Sequence, residues 1–120
     1  MKKILIAEDE NDIRELIKLT LQFSGFDVTA AYDGQNAVEL APTADFDLIM
    51  MDVRMPRMTG YEACREIKKI DRLKDVPVIF LSAKGQESEI SEGLDAGATD
   101  YILKPFAPDQ LVKKIKQILG

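Results

Sequence analysis

The chain has 120 residues, 46% of them apolar and 31% charged, and a formal net charge of −5. This is the size and composition of a globular domain, and its negative charge disfavours direct binding to nucleic acid. The sequence contains no histidine, which excludes a Ser-His-Asp triad, histidine zinc ligands and a phosphohistidine on this chain.

Five short apolar segments predict five β-strands. In chain order they cover residues 4–7, 26–30, 48–51, 78–81 and 101–103. The first, third and fourth are continuous apolar runs, which are typical of parallel strands covered on both faces. The second alternates between apolar and other residues, as in an edge strand.

The segments between the strands have helical periodicity and boundary signals. In the first, Asp12 and Glu15 have the spacing of a capping box, and Gly25 is expected to end the helix. Its predicted inward face consists of Ile13, Leu16, Ile17 and Leu21. Thr59 and Glu62 have the same capping-box spacing at the start of a later helix.

The apolar face of the helix that begins at Thr59 is predicted to consist of Ala63, Ile67 and Ile70. Pro108 suits the first turn of the last helix. The inward face of the last helix is predicted to be Leu111, Val112, Ile115, Ile118 and Leu119.

The predicted fourth helix, around residues 87–96, contains the poor helix formers Ser88, Ser91 and Gly93. Two interpretations stay open. It is either an ordinary surface helix or an element near marginal stability, from which moving parts are often drawn.

Strand and helix alternate five times, which predicts an α/β fold: a doubly wound parallel sheet with helices on both faces. We find no linker or repeat, so residues 1–120 are predicted to form one domain. No apolar run approaches the roughly 20 residues of a membrane span, and no signal peptide is recognisable. Cys64, the single cysteine, cannot form an internal disulfide and is expected to be a small core or surface residue. We expect a cytoplasmic protein that does not bind membranes.

Polar side chains follow four of the predicted strands. Glu8 and Asp9 follow the first, Asp52 the third, Ser82 the fourth and Lys104 the fifth. Alone, each would suit a helix cap, a turn or a solvated surface. The carboxyl ends of parallel strands share one edge of the sheet, which is where such folds bind ligands. Their combination therefore predicts a functional site.

The three carboxylates require a cation or a proton between them. Two carboxylates about 5 Å apart repel by roughly 3 kcal/mol at an effective dielectric near 20. Oxygen ligands suit Mg²⁺ or Mn²⁺, and no histidine or cysteine cluster competes for a softer metal. The sequence therefore predicts an Mg²⁺ or Mn²⁺ site of modest affinity.

Together these residues resemble the signature of bacterial response-regulator receiver domains of the chemotaxis type. The resemblance rests on Glu8-Asp9, on DVRMPRMTG from Asp52, on Ser82-Ala83 and on YILKPF from Tyr101, and it spans essentially the whole chain. It implies a flavodoxin-like receiver fold with five helices and strand order 2-1-3-4-5.

The resemblance also implies residue roles. Asp52 would be the phosphoacceptor, and Glu8, Asp9 and Asp52 would bind the metal with the backbone carbonyl of Arg54. The residues that would bind the phosphoryl group and switch conformation are Ser82, Ala83, Lys104 and Tyr101. The Lys104–Pro105 peptide would be cis. Arg54 and Lys84 would modulate the lifetime of the phosphoryl group, in a direction that the sequence leaves open.

The implied function is a magnesium-dependent switch of a two-component system. The donor would be a histidine kinase or a histidine phosphotransfer protein. It would dock near Asn11, Arg14, Pro105 and Phe106. Phosphorylation would change the surface of the fourth helix, fifth strand and fifth helix, to control an effector or an attached output domain. The chain would not be an enzyme, although it would assist its own phosphorylation and slow dephosphorylation.

Several alternatives stay open. Lys113, Lys114 and Lys116 form either a solvated face or part of a dimer or effector surface, so the protein is a monomer or a phosphorylation-dependent dimer. A phosphatase with an aspartate nucleophile is disfavoured because Arg54 occupies the position of its second acid. A phosphate-independent interaction module is disfavoured because no site position is missing. The chain would be a stand-alone regulator or the first part of a longer one.

Overall fold

The computed structural model describes residues 1–83, 97 and 99–120. The predicted helix around residues 87–96 lies outside the described residues, as does Lys84. Among the residues that are described, no helix is both long enough and apolar enough to cross a membrane.

Five strands lie in the described part of the chain and form one parallel sheet. They are β1 (Lys3–Ala7), β2 (Asp27–Ala31), β3 (Leu48–Asp52), β4 (Val78–Ala83) and β5 (Asp100–Lys104). Their order is β2-β1-β3-β4-β5, which confirms the predicted doubly wound fold and places the alternating strand at an edge. The register pairs Ala7 with Met51 and Asp52 with Leu81, so the carboxyl ends of the central strands coincide.

Within the described ranges, four α-helices cover the sheet. They are α1 (Asn11–Phe23), α2 (Gly34–Leu40), α3 (Gly60–Lys68) and the C-terminal helix (Pro108–Leu119). Short 3₁₀ turns at Ala41–Thr43 and Asp71–Leu73 follow α2 and α3.

The core has two layers because successive strand residues point to opposite faces. In β1, Leu5 packs on the side of α2 and α3, whereas Ile4 and Ile6 pack on the side of α1 and the C-terminal helix. Cys64 is fully buried in the first layer, so of the two expected locations it has the core one.

Three of the boundary predictions are confirmed. Thr59 and Glu62 form a complete capping box at the start of α3. Pro108 is the first residue of the C-terminal helix. Gly25 follows α1 with a φ of 92°, a conformation that glycine adopts without steric cost.

The capping box predicted at Asp12 and Glu15 is wrong. The N-cap of α1 is Glu10, without a side-chain capping bond, and Asp12 lies inside the first turn. The cause is the preceding loop: Glu10 donates its backbone N–H to the buried Glu8 carboxylate at 3.2 Å and its carbonyl accepts from Arg14 N at 2.9 Å. These bonds start the helix before Asp12.

The prediction that Leu16 faces inward is also wrong, since this residue is 47% exposed. The helix packs on the sheet through Ile17 and Leu21, and Leu16 lies about 100° around the helix from Ile17. Its side chain instead lines a surface groove with Ile13 and Phe106.

Candidate functional site

The carboxyl edge of the sheet brings together the side chains predicted for the site. Glu8 follows β1 and is fully buried, and Asp52 ends β3 with 6% of its surface exposed. Ser82 lies in β4 and is buried, whereas Asp9 is exposed. Lys104 ends β5 and reaches across the edge toward Asp52.

Lys104 bridges the two buried carboxylates. Its Nζ lies 2.6 Å from Asp52 Oδ2 and 3.1 Å from Glu8 Oε1. The other oxygens accept backbone hydrogen bonds: Glu8 Oε2 from Glu10 N at 3.2 Å, and Asp52 Oδ1 from Arg54 N at 3.2 Å. Both carboxylates are therefore held in defined orientations by residues from separate segments.

The electrostatics of this edge combine burial of the carboxylates with excess negative charge. Burial, followed by repulsion from Asp52, raises the pKa of Glu8 from its usual 4.5 to about 7. Burial by itself would lower the pKa of Lys104, but hydrogen bonds and charge attraction from Asp52 and Glu8 outweigh it, so the pKa is raised. Lys104 is thus held as a cation between carboxylates that it does not fully neutralise.

The residues fit a divalent cation. Glu8, Asp9 and Asp52 each offer one carboxylate oxygen, and these oxygens lie within 4.8 Å of one another. The donor set is oxygen only, which suits Mg²⁺ or Mn²⁺. The fourth predicted ligand is the carbonyl of Arg54, the residue whose N–H binds Asp52 Oδ1 at 3.2 Å.

The predicted switch residues occupy the neighbouring strands. Leu81, which precedes Ser82, pairs with Asp52, and Ala83 pairs with Lys104 across β4 and β5. Tyr101 is half-buried, and its ring centroid lies 5.7 Å from that of Phe80. The peptide between Lys104 and Pro105 is cis.

Two residues near the site were not identified from the sequence. The Tyr61 hydroxyl lies 3.3 Å from that of Tyr101, in hydrogen-bond contact. A Cβ on Gly60 would lie 2.3 Å from the carbonyl oxygen of Asp52, so only glycine fits there without a backbone shift. Gly60 is the last residue of the motif DVRMPRMTG on which the resemblance rests, but no role was assigned to it. Nothing local distinguishes Tyr61.

The residues of the predicted donor surface lie on α1 and after β5. Arg14 donates from Nη1 to the Glu8 carbonyl at 2.9 Å and also hydrogen-bonds Asn11. Lys104, Pro105 and Phe106 line one groove with Ile13 and Leu16 of α1. Of the three lysines on the C-terminal helix, Lys114 forms an ion pair with Asp100 at 3.0 Å.

Comparison with known proteins gives consistent results. The model of the family described as "Response regulator receiver domain" matches residues 4–116. The chain is 35% identical over 119 residues to the DNA-binding dual master transcriptional regulator RpaA of Synechocystis, covering 99% of this chain and 49% of that protein. It is 40% identical over 118 residues to the phosphate regulon regulator PhoB of Pseudomonas aeruginosa, covering 98% and 52%. The chain thus spans about half the length of these curated relatives.

Solved structures include whole-chain matches. Chemotaxis response regulator CheY4 of Vibrio cholerae superposes with a TM-score of 0.94 at 36% identity, with 99% of each chain covered. The receiver domain of sensor histidine kinase PA1611 from Pseudomonas aeruginosa has a TM-score of 0.91 at 34% identity, covering 99% and 98%. That structure contains a magnesium ion coordinated in the active site cleft.

Proposed function

The chain belongs to the response-regulator receiver domains, modules that accept a phosphoryl group in two-component signalling, and we propose that Asp52 is its phosphoacceptor. One observation carries the proposal. Within the oxygen cluster of Glu8, Asp9 and Asp52, Asp52 has the shorter contact with Lys104, 2.6 Å against 3.1 Å for Glu8, and it keeps 6% of its surface exposed where Glu8 is fully buried. Asp52 therefore combines a nucleophilic oxygen with nearby groups that can neutralise a phosphoryl group.

In the proposed reaction an oxygen of Asp52 forms a bond to phosphorus as the P–N bond of a donor phosphohistidine breaks. The imidazole keeps the bonding electron pair and takes up a proton. Phosphoryl transfer depends on in-line positioning and charge neutralisation more than on other covalent chemistry. The Lys104 ammonium, held 2.6 Å from Asp52, supplies one of the neutralising charges.

A divalent cation would supply the remaining neutralisation when bound. We propose Glu8, Asp9, Asp52 and the Arg54 carbonyl as the groups that hold Mg²⁺ or Mn²⁺. Two partly neutralised buried carboxylates support this assignment, because a dication relieves their repulsion. The chain acts as a phosphoacceptor, which assists its own phosphorylation and dephosphorylation, and not as an enzyme on a separate substrate.

The conformational response is proposed to start at Ser82, Ala83 and Lys104, which would bind the phosphoryl oxygens, and to continue to Tyr101. Charge-assisted hydrogen bonds each contribute about 1.5–3 kcal/mol, whereas a shift from ~1% to ~99% active needs about 5.5 kcal/mol. Several of these contacts must therefore act together. The surface that changes is proposed to include residues 87–96, β5 and the C-terminal helix.

The proposed donor is a histidine kinase or a phosphotransfer protein that docks on Arg14, Asn11, Pro105 and Phe106. The groove at Pro105 and Phe106, which Ile13 and Leu16 of α1 also line, supports this surface. The output is an effector protein or an attached domain. Curated relatives about twice as long as this chain, which include transcriptional regulators, are compatible with an attached domain.

The test of the proposed function is phosphorylation by acetyl phosphate, with and without Mg²⁺, followed by intact mass. We expect a gain of one phosphoryl group that requires Mg²⁺ and is absent in Asp52→Asn. The matched control is Asp45→Asn, which alters an exposed aspartate paired with Arg72 and should be phosphorylated normally. Phosphorylation of Asp52→Asn at the wild-type rate would refute the assignment.

The docking surface is tested by Arg14→Ala. Phosphotransfer from the kinase should slow, while phosphorylation by acetyl phosphate should stay unchanged. Equal slowing with both donors would place the role of Arg14 in the site itself, through its bond to the Glu8 carbonyl.

A further inference from the structure

The loop between β3 and α3, residues 53–59, has a tightly folded backbone. Gly60 donates its N–H to the Val53 carbonyl at 2.9 Å, which closes the base of the loop. Met58 donates to the Pro56 carbonyl at 2.8 Å, and between them Arg57 has a φ of 69°. Residues other than glycine rarely adopt this left-handed conformation, and they keep it only when surrounding contacts hold them there.

The side chain of Arg57 has one such contact. Its Nη2 donates to Asp33 Oδ2, although Asp33 lies 24 residues earlier in the chain. The Asp33 side chain is only 3% exposed, whereas that of Arg57 is 71% exposed. Asp33 Oδ1 simultaneously accepts from Asn36 N at 2.7 Å and caps α2.

A second contact joins the same two segments. A Cβ on Gly34, the first residue of α2, would lie 2.5 Å from the carbonyl oxygen of Met58. The loop backbone therefore rests directly on the start of α2. The ion pair involves Asp33 and Arg57, and the close approach involves their chain neighbours Gly34 and Met58. The far end of the loop is therefore attached to the start of α2 at two adjacent points.

The near end of the loop is attached to the phosphorylation site. Arg54 donates its backbone N–H to Asp52 Oδ1 at 3.2 Å. At the base, Gly60 approaches the Asp52 carbonyl so closely that an added Cβ would lie 2.3 Å from its oxygen. A short closed loop thus connects the Asp33 carboxylate to the groups around Asp52.

We propose that Asp33 and Arg57 are positioning residues for the phosphorylation site: their ion pair holds the 53–59 loop on α2 and thereby fixes the Arg54 backbone beside Asp52 for cation binding. This inference rests on the proposed function. Neither residue touches the phosphoryl group or the cation.

An ordinary surface ion pair would have little effect, because two mobile side chains must be ordered in water. This pair differs because Asp33 is already buried and oriented by its capping bond, so only Arg57 must be ordered. If position 57 were needed only for its left-handed backbone, glycine would adopt that conformation at no steric cost. The arginine therefore contributes through its side chain.

The test compares Arg57→Gly, Asp33→Asn, the double variant and Arg57→Lys. Glycine suits the left-handed backbone, and asparagine caps helices about as well as aspartate, so both single variants should fold. Asp45→Asn is the matched control, since it removes an exposed pair with Arg72 at 2.9 Å. Mg²⁺ affinity is measured by amide NMR titration without a phosphodonor, and phosphorylation by acetyl phosphate is measured at limiting and saturating Mg²⁺.

We expect the dissociation constant for Mg²⁺ to rise about three- to tenfold in both single variants, as for other residues that orient metal ligands. The double variant should bind Mg²⁺ no more weakly than the single variant with the lower affinity, because the two residues act as one pair. Arg57→Lys should recover most of the affinity, and the control should equal wild type. Phosphorylation should slow by the same factor at limiting Mg²⁺ and recover at saturation.

Wild-type Mg²⁺ affinity in both single variants would overturn the positioning role and leave the proposed function intact. An affinity loss that is additive in the double variant would also overturn it, because independent effects are not those of a pair. If the wild-type protein itself neither binds Mg²⁺ nor gains a phosphoryl group, the proposed function fails and this inference fails with it.

Discussion

Asp52 and Asp33 are both buried aspartates that bind a basic side chain from a distant part of the sequence, yet a carboxyl pKa is raised at Glu8, the neighbour of Asp52, and lowered at Asp33 itself. At Asp52, one ammonium serves two carboxylates, and the neighbouring Glu8 has its pKa raised to about 7 by burial and by the charge of Asp52. At Asp33, the Asn36 N–H, with further help from Arg57, lowers the pKa against the opposing effect of burial. Buried carboxylates that share one nearby cation are suited to bind a further cation, whereas Asp33, with a hydrogen bond to each oxygen, has a structural role.

The largest expected effect comes from removing the shared cation. Lys104→Met should leave Glu8 and Asp52 buried without their cationic partner, at a cost of about 3–5 kcal/mol in the free energy of unfolding at pH 8 without metal. Phosphorylation by acetyl phosphate should slow about 100-fold, as when a charge-stabilising donor is removed. Urea unfolding and intact mass measure the two quantities.

Lys114→Met is the matched control, because Lys114 pairs with Asp100 at 3.0 Å where both side chains are partly exposed. Its cost should stay below about 1 kcal/mol. Equal destabilisation by the two variants would contradict the difference between a buried shared cation and a surface pair.

Glu8 should make the metal-free protein less stable as pH rises. Its folded pKa is raised from 4.5 to about 7, so its stabilising contribution is full below pH 4.5 and is lost as pH passes 7. The change is on the order of 3 kcal/mol. Urea unfolding between pH 4.5 and 8 with a chelator should show this decline in wild type and a flatter profile in Glu8→Gln. Saturating Mg²⁺ should restore stability at pH 8, because it binds only the folded state; identical profiles would contradict the role of Glu8.

Asp33 should have the opposite pH dependence. Its pKa is lowered from 3.8, so its contribution is present above pH 3.8 and is lost as pH falls through the lowered value. Asp33→Asn should cost about 1 kcal/mol at pH 7 and reduce the loss of stability below pH 4. Thermal unfolding at pH 7 and pH 3 measures both, with Asp45→Asn as control. A constant difference between variant and wild type at the two pH values would exclude an effect of the Asp33 charge.

The smallest effect on stability is expected for Asp9, the exposed member of the oxygen cluster. Asp9→Asn should change the free energy of unfolding by less than about 0.5 kcal/mol, since the group is hydrated in both states. Mg²⁺ affinity should nevertheless fall about tenfold through loss of a charged ligand. An NMR titration measures the affinity, and unchanged binding would remove Asp9 from the proposed ligand set.

Local patterns predicted the strands well and some details of the helices poorly. Continuous apolar runs located β1, β3 and β4 because buried parallel strands need apolar side chains on both faces. The capping box predicted at Asp12 was wrong because a local hydrogen bond from Glu10 N to the Glu8 carboxylate starts α1 earlier. The prediction that Leu16 faces inward was wrong because a helical pattern alone does not indicate how wide the buried face of the helix is.

The order of the sequence by itself determined that Glu8, Asp52 and Lys104 would meet. Asp52 and Lys104 end strands of a parallel sheet and Glu8 directly follows one, and all such ends share one edge. It did not determine which carboxylates are buried, nor that Lys104 contacts both Glu8 and Asp52, because distance and burial depend on how strands and helices pack.

The contacts of Asp33 with Arg57 and of Tyr61 with Tyr101 were decided by the tertiary structure alone. Their partners are separated by 24 and 40 residues and follow no local period. Periodicity in a sequence reports which face of an element is buried; which side chain on one element meets which on another is set by the three-dimensional packing of the loops and helices between them.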